Sequence, residues 1–280
     1  MRRIRLGEIK SKIPHDIKLY REIAVNAAQK AGRLLLEKQN LERKIAYKGE
    51  ADLVTDADTT AEKLIVELIK DNLPEHSILA EEGSGVSSDS EYLWIIDPLD
   101  GTTNYAHHFP FFCVSIALKY IDDILLGVVY NPVFDELFLA IKGEGAYLND
   151  KEISVSGHKD LMECLLATGF PYDKARSERD NLKYFNIFLK RIQGIRRAGS
   201  AAMDLVYTAC GRLDGYWELK LKPWDMAAGA LIVREAGGKV TGFDGEDLDI
   251  FKGDIIASNG LIHNEMQSTI NSIDRREFNE

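Results

Sequence analysis

Residues 92–96, Tyr-Leu-Trp-Ile-Ile, form an unbroken apolar run that ends in Asp97-Pro98-Leu99-Asp100-Gly101-Thr102-Thr103-Asn104. A short apolar run without alternation, bounded by turn residues, reads as a buried strand. The polar segment at its end restricts the fold further. Pro98 fixes φ and removes a backbone donor, so the chain turns there. Asp97 and Asp100 can then converge, whereas residues three apart in a regular strand point to opposite faces. Gly101 permits close approach of the backbone to a ligand. The amides of Gly101 and Thr102 are left to bind an anion, as at a helix N-terminus.

Two hard carboxylates beside an anion-binding turn suit Mg²⁺-dependent phosphate chemistry, because Mg²⁺ takes oxygen donors, keeps waters and shares phosphate oxygens. The bland alternative is an acidic turn after a strand. The apolar run before it and the Gly-Thr-Thr-Asn behind it weigh against that. Glu81 and Glu82 end another apolar run, 77–80, and are candidate ligands beside such a pair. Asp52, Asp56 and Asp58 precede a helix, where capping and the helix dipole account for one acid better than for three. Asp225 stands where a helix starts, and N-capping alone would explain it.

Around this stretch the apolar period changes along the chain. Helical spacing runs from Ile17 to Leu35, with Asp16 as a cap, and again over Ala61, Leu64, Ile65, Leu68 and Ile69. Thr59 and Glu62 have capping-box spacing at the start of the second helix. Residues 1–15 read as a polar leader and 37–52 as a flexible loop. Strands are expected at 77–80, 92–96, 113–118, 125–130 and 136–141, the last two joined by a hairpin-type connection. The second half alternates: a helix over 201–210 capped by Ser200, a strand over 213–218, and a helix over 226–236 capped by Asp225. Strands over 239–241 and 255–258 and a helix over 262–273 complete it. This gives an α/β (mixed α+β) fold of helix-covered layered sheets. A domain boundary is expected near residue 150, dividing 1–150 from 151–280.

Composition narrows the function. With 35 Lys+Arg and 45 Asp+Glu, the net charge of −10 argues against nucleic-acid backbones as the main partner. Cys113, Cys164 and Cys210 are odd in number and lack CxxC spacing, so they read as small buried hydrophobes in a reducing compartment. No apolar stretch reaches the ~18 residues that span a bilayer. No apolar core follows the basic Met-Arg-Arg-Ile-Arg start, so no secretory signal is expected. A cytoplasmic protein without a membrane partner is expected. His107-His108 reads as a loop pair.

Three separated blocks carry a resemblance. They are Ala80-Glu81-Glu82-Gly83, the 97–104 segment, and Trp224-Asp225-Met226-Ala227-Ala228-Gly229 followed by Glu235-Ala236-Gly237-Gly238. In order and spacing over roughly 17–275, the chain resembles the inositol monophosphatase family of Mg²⁺-dependent, lithium-sensitive sugar phosphatases. The resemblance implies a layered αβαβα sandwich, usually dimeric, so a homodimer is expected. It implies two or three Mg²⁺: one on Glu81, Asp97 and the Leu99 carbonyl, a second on Asp97, Asp100 and Asp225, and a weaker third near Glu81 and Glu82. It implies that Thr102, polarised by Asp58, orients the attacking water, and that the Gly101 and Thr102 amides hold phosphate. Glu82 joins Asp58 and Thr102 as a catalytic candidate. Lys48 would lie in a mobile loop closing over the site. Gly199, Ser200 and Ala201 would line the polyol pocket, and Glu218 would read sugar hydroxyls.

The expected reaction is hydrolysis of a sugar or polyol phosphate, foremost inositol 1-phosphate, by water attacking in line. Lys222 stands where animal members commonly carry His. Arg196 and Arg197 would serve a second phosphate in a fructose-1,6-bisphosphatase or dual-specificity enzyme, or else are surface or dimer-contact charges. A nucleotide phosphatase and a non-catalytic binding or regulatory protein keeping the fold are the remaining alternatives.

Overall fold

The computed structural model describes residues 16–39, 45–47 and 53–277. In chain order the first half runs α1 (Ile17–Gln39), β1 (Ile45–Tyr47), β2 (Leu53–Thr55), α2 (Asp56–Asn72), β3 (Ser77–Ala80) and β4 (Tyr92–Asp100). It continues with α3 (Thr102–Ala106), β5 (Cys113–Tyr120), β6 (Asp123–Asn131), β7 (Glu136–Ile141), β8 (Ala146–Leu148) and β9 (Lys151–Glu152). The second half adds β10 (Leu165–Thr168), α4 (Leu182–Phe188), β11 (Gly194–Arg196), α5 (Ala201–Ala209) and β12 (Gly215–Glu218). After these come α6 (Pro223–Glu235), β13 (Lys239–Thr241), β14 (Ile255–Ser258) and α7 (His263–Glu277).

Two sheets organise these elements. The seven-stranded one runs β3-β4-β5-β6-β7-β8-β9, parallel only between β3 and β4. The five-stranded one runs β11-β10-β12-β14-β13, with β10 parallel to both neighbours. Side-chain alternation assigns the faces. Trp94 and Ile96 of β4 enter a core with α1 and α2, whereas Ile95 enters a second core with α5 and α6. That second core also takes Ala167, Tyr216 and Ala257 from the smaller sheet. Leu166, Trp217 and Ile256, one residue along their strands, face α4 and α7 instead. The layers are therefore helix, sheet, helix, sheet, helix, as the resemblance implies. Both sheets are covered on both faces, which is why their strands are apolar throughout instead of alternating.

Two helices start earlier than expected, and the stretch read as a flexible loop over 37–52 instead contains the end of α1 and strand β1. The second helix begins at Asp56, so Thr59 lies inside it and its hydroxyl bonds the Asp56 carbonyl at 3.3 Å. Glu62 is then no cap partner. It is fully buried and accepts from the amides of Glu82 at 2.6 Å and Ser84 at 2.8 Å. Likewise α6 starts at Pro223, which suits the first helical position. Asp225 stands three residues past the Lys222 cap position and accepts from the Lys222 amide at 2.7 Å. Ser200 does cap α5, accepting from Met203 N at 3.4 Å.

Candidate active site

The sheet irregularity between Asp97 and Asp100 builds the site. The pairing of β4 with β5 shifts register there, and a bulge re-aims side chains. Without the shift, Asp97 would follow Ile95 toward α5 and α6, and Asp100 would follow Trp94 and Ile96 toward α1. Instead Leu99 takes the place in the outer core. Asp100 turns inward, where its Oδ2 accepts from Ser200 Oγ at 2.8 Å and Ala202 N at 2.6 Å. Asp97 Oδ1 accepts from the Leu99 amide at 2.9 Å, closing the turn. Gly101 then adopts φ 101°, and a Cβ there would meet Phe111 O at 3.0 Å and Phe112 Cβ at 3.1 Å. Only glycine fits that position.

Three contacts bring the other segments to this turn. Ser115 Oγ, opposite Asp97 in the sheet, donates to Trp224 O at 3.1 Å and so sets Asp225 beside the strand end. Asn104 Nδ2 donates to Ala198 O at 2.8 Å and holds the loop before Ser200. Glu62 grips the amides after Glu81. The result is a cleft of about 250 Å³ whose wall includes Glu81, Asp97, Leu99, Asp100, Gly101, Thr102 and Asp225. Gly199, Ser200, Ala201 and Glu218 line the same cleft.

Not every candidate falls on this wall. Glu82 lies next to Glu81 with its amide held by Glu62, and the cleft wall includes Glu81 but not Glu82. Asp58 is buried behind the wall and accepts from Thr102 Oγ1 at 3.1 Å; the Leu99 carbonyl, also 3.1 Å away, shares that hydroxyl proton. Asp56, two residues before it, pairs with Lys38 at 2.8 Å. Lys48 and Asp52 lie outside the described residues. Arg197 lines the cleft, whereas Arg196 does not and bonds the Ile195 carbonyl. His107 and His108 follow α3 as an exposed loop pair.

The acids strain one another. Burial, then Glu81, Asp100 and Asp225, push the Asp97 carboxyl well above the usual range. Burial raises Asp225 well above its ordinary value too, with Asp100 adding to it. Asp100 rises only to about 6, because the Ala202 and Ser200 donors oppose burial. Buried like charges of this kind are relieved by a cation, and all the donors are hard oxygens, as Mg²⁺ requires. Among the described residues no three His, Cys, Asp or Glu side chains form a closed metal-holding group. The fit to an ion therefore lies in donor chemistry and charge.

At the far end of the cleft stands Glu218. It follows Tyr216 on the inward face of β12, and the Tyr216 hydroxyl donates to it at 2.5 Å. Gly169 makes room for it, since a Cβ there would collide with the Glu218 carboxylate. Burial lifts Glu218 to about 7. Asp204 is also on this wall and is not among the candidates that the sequence offers. In sequence it is one more acid in the first turn of a capped helix, and nothing marks it as inward-facing.

A layered αβαβα sandwich with a carboxylate-lined cleft between its sheets defines the sugar-phosphatase class. The inositol monophosphatase family matches residues 16–276. Inositol-1-monophosphatase of Synechocystis is 48% identical over 92% of this chain and 90% of that protein. Nus factor SuhB of Vibrio cholerae is 46% identical over 84% of this chain and 90% of its own length. The solved inositol monophosphatase of Anabaena superposes with a TM-score of 0.84 at 42% identity, over 92% and 97% of the two chains. The chain belongs to the inositol monophosphatase family.

Proposed function

We propose that the protein hydrolyses the phosphate monoester of a polyol, foremost inositol 1-phosphate, with Mg²⁺ as cofactor. The carrying observation is the register shift that turns both Asp97 and Asp100 into one cleft with Glu81 and Asp225. Glu81, Asp97, Asp100, Asp225 and the Leu99 carbonyl would hold the ions. Magnesium, when bound, supplies an acidified water and neutralises phosphoryl charge.

The chain's own groups do the positioning. Thr102 gives its hydroxyl proton to Asp58 or the Leu99 carbonyl, so its oxygen is left as an acceptor that orients water by one proton. The Gly101 turn offers amides to the phosphate. Glu218 accepts from hydroxyls of the leaving polyol. Glu82 serves only through the turn it shares with Glu81. Arg197 alone, beside the acids Asp204 and Glu218, is a poor seat for a second phosphate. That favours a monophosphate over fructose 1,6-bisphosphate. The protein is further proposed to work as a cytoplasmic homodimer; no helix among the described residues is long and apolar enough to cross a membrane.

The name of the Vibrio relative favours a second reading, a regulatory or binding protein that keeps the fold. It leaves the acidic set and the Thr102–Asp58 pair without a purpose. Phosphate release from inositol 1-phosphate, fructose 1,6-bisphosphate and a nucleotide phosphate, with Mg²⁺ and with a chelator, separates the readings. Inositol 1-phosphate is expected to be cleaved fastest, and only with metal. Turnover unaffected by chelation rules out the metal chemistry, and inertness toward every ester favours the second reading.

A further inference from the structure

Two acids on the cleft wall, Glu218 and Asp204, serve neither the ion set nor the phosphate turn, and only Glu218 has a role so far. Asp204 lies in the first turn of α5 and is 2% exposed. Its Oδ1 has no hydrogen-bond partner, and it is the one buried side-chain oxygen or nitrogen in that condition among the described residues. Its electrostatic neighbours are the acids Glu218 and Asp100, with Arg197 opposing them. A buried carboxyl oxygen left unsatisfied destabilises the fold and calls for an explanation outside it. The ligand must suit the surroundings. A second phosphate would meet two acids. A hydroxyl is neutral and both gives and takes a hydrogen bond, so it satisfies a carboxyl in either protonation state.

We infer that Asp204 is a specificity-determining residue that hydrogen-bonds a hydroxyl of the substrate's polyol beside Glu218. The inference rests on the phosphomonoesterase reading above and adds a residue to it. It also separates roles within the cleft: the acids around Asp97 act on every phosphate ester, whereas Asp204 acts only on esters that carry hydroxyls.

The test compares inositol 1-phosphate with ethyl phosphate, an ester without hydroxyls, in the presence of Mg²⁺. For Asp204→Ala, KM for inositol 1-phosphate should rise about tenfold, the worth of one hydrogen bond to a buried carboxyl, with kcat changed much less. Ethyl phosphate hydrolysis should be unchanged. Asp204→Asn, which keeps a polar group of the same shape, should recover most of the KM. Tm of Asp204→Ala should hold or rise, because an orphaned polar group is removed. Equal losses on both esters, an unchanged KM for inositol 1-phosphate, or a lowered Tm would each overturn the assignment. Wild-type protein inert toward both esters would take down the phosphatase reading, and this assignment with it.

Discussion

Asp97 and Asp214 are both buried aspartates, 2% and 4% exposed, and the fold treats them in opposite ways. Asp214 lies just before β12, on the far side of the smaller sheet's strand end. Its Oδ1 accepts from Ser156 Oγ at 2.5 Å and faces His158 Nδ1 at 2.8 Å, and its Oδ2 accepts from Leu165 N at 2.7 Å. Asn259 Nδ2 donates to the same Ser156 hydroxyl at 3.0 Å. Asp97 takes the Leu99 amide within its own turn, and its other neighbours are acids: Glu81, which shares a hydrogen bond with it, Asp100 and Asp225. A buried carboxylate that the chain satisfies belongs to the fold. One that the chain crowds with like charges is held for something that binds.

The contrast between the two aspartates is most exposed to test at Asp97. Asp97→Asn removes a donor common to both proposed ions, so kcat/KM should fall by ~10³ or more. Stability should be unchanged or higher, because repulsion from Glu81, Asp100 and Asp225 is relieved. Phosphate-release kinetics and thermal unfolding on the same sample decide it. Near wild-type turnover, or a marked drop in Tm, would show that Asp97 belongs with Asp214 as a structural group.

The effect at Asp214 should be the mirror image. Asp214→Ala orphans the Leu165 amide and the Ser156 hydroxyl at once, costing roughly 2–4 kcal/mol. Turnover and KM measured well below the new Tm should match wild type. Loss of activity in the still-folded variant would mean that the pairing of β10 with β12 governs the cleft through Gly169, and the two kinds of aspartate would no longer separate.

Sequence reading reaches the strongly periodic elements and the cleft's acidic end for one reason: both are written locally. The helices α1 and α2 carry their apolar period over many residues, and the 97–101 turn holds its proline, glycine and two acids within one stretch. The smaller sheet's outer part is not legible. β10 is four residues, β11 three, and the cap position before α4, Asn181, has φ 74° and makes no side-chain cap, so no period or cap announces them. Glu62 has the spacing of a local cap partner to Thr59, while its true partner amide at Glu82 is 20 residues away. Asp204 escapes notice for a related reason. Its significance is a missing partner, and a missing partner is a property of packing between α5 and β12, which no local pattern carries.

The smallest effect is a pH dependence, and it tests whether the satisfied cluster is electrostatically independent of the cleft. The hydrogen bond and charge of Asp214 raise the His158 imidazole above its ordinary value, on an exposed ring. A folded-state pKa above the unfolded one means that the folded chain holds the proton longer. The His158–Asp214 contribution is therefore fully present below about pH 6.5, the ordinary histidine value, and is lost as pH rises through the raised value. His158→Gln should consequently lower Tm slightly in mildly acidic buffer and make no difference at alkaline pH, with solvent screening keeping the effect small. Its pH–activity profile should overlay that of wild type, since His158 touches Asp214 and not the acids around Asp97. A Tm difference that instead grows with pH would put the proton on the unfolded chain. A shifted activity profile would mean that the cluster at Asp214 and the cleft titrate together, and that satisfied and unsatisfied aspartates in this protein form one electrostatic unit.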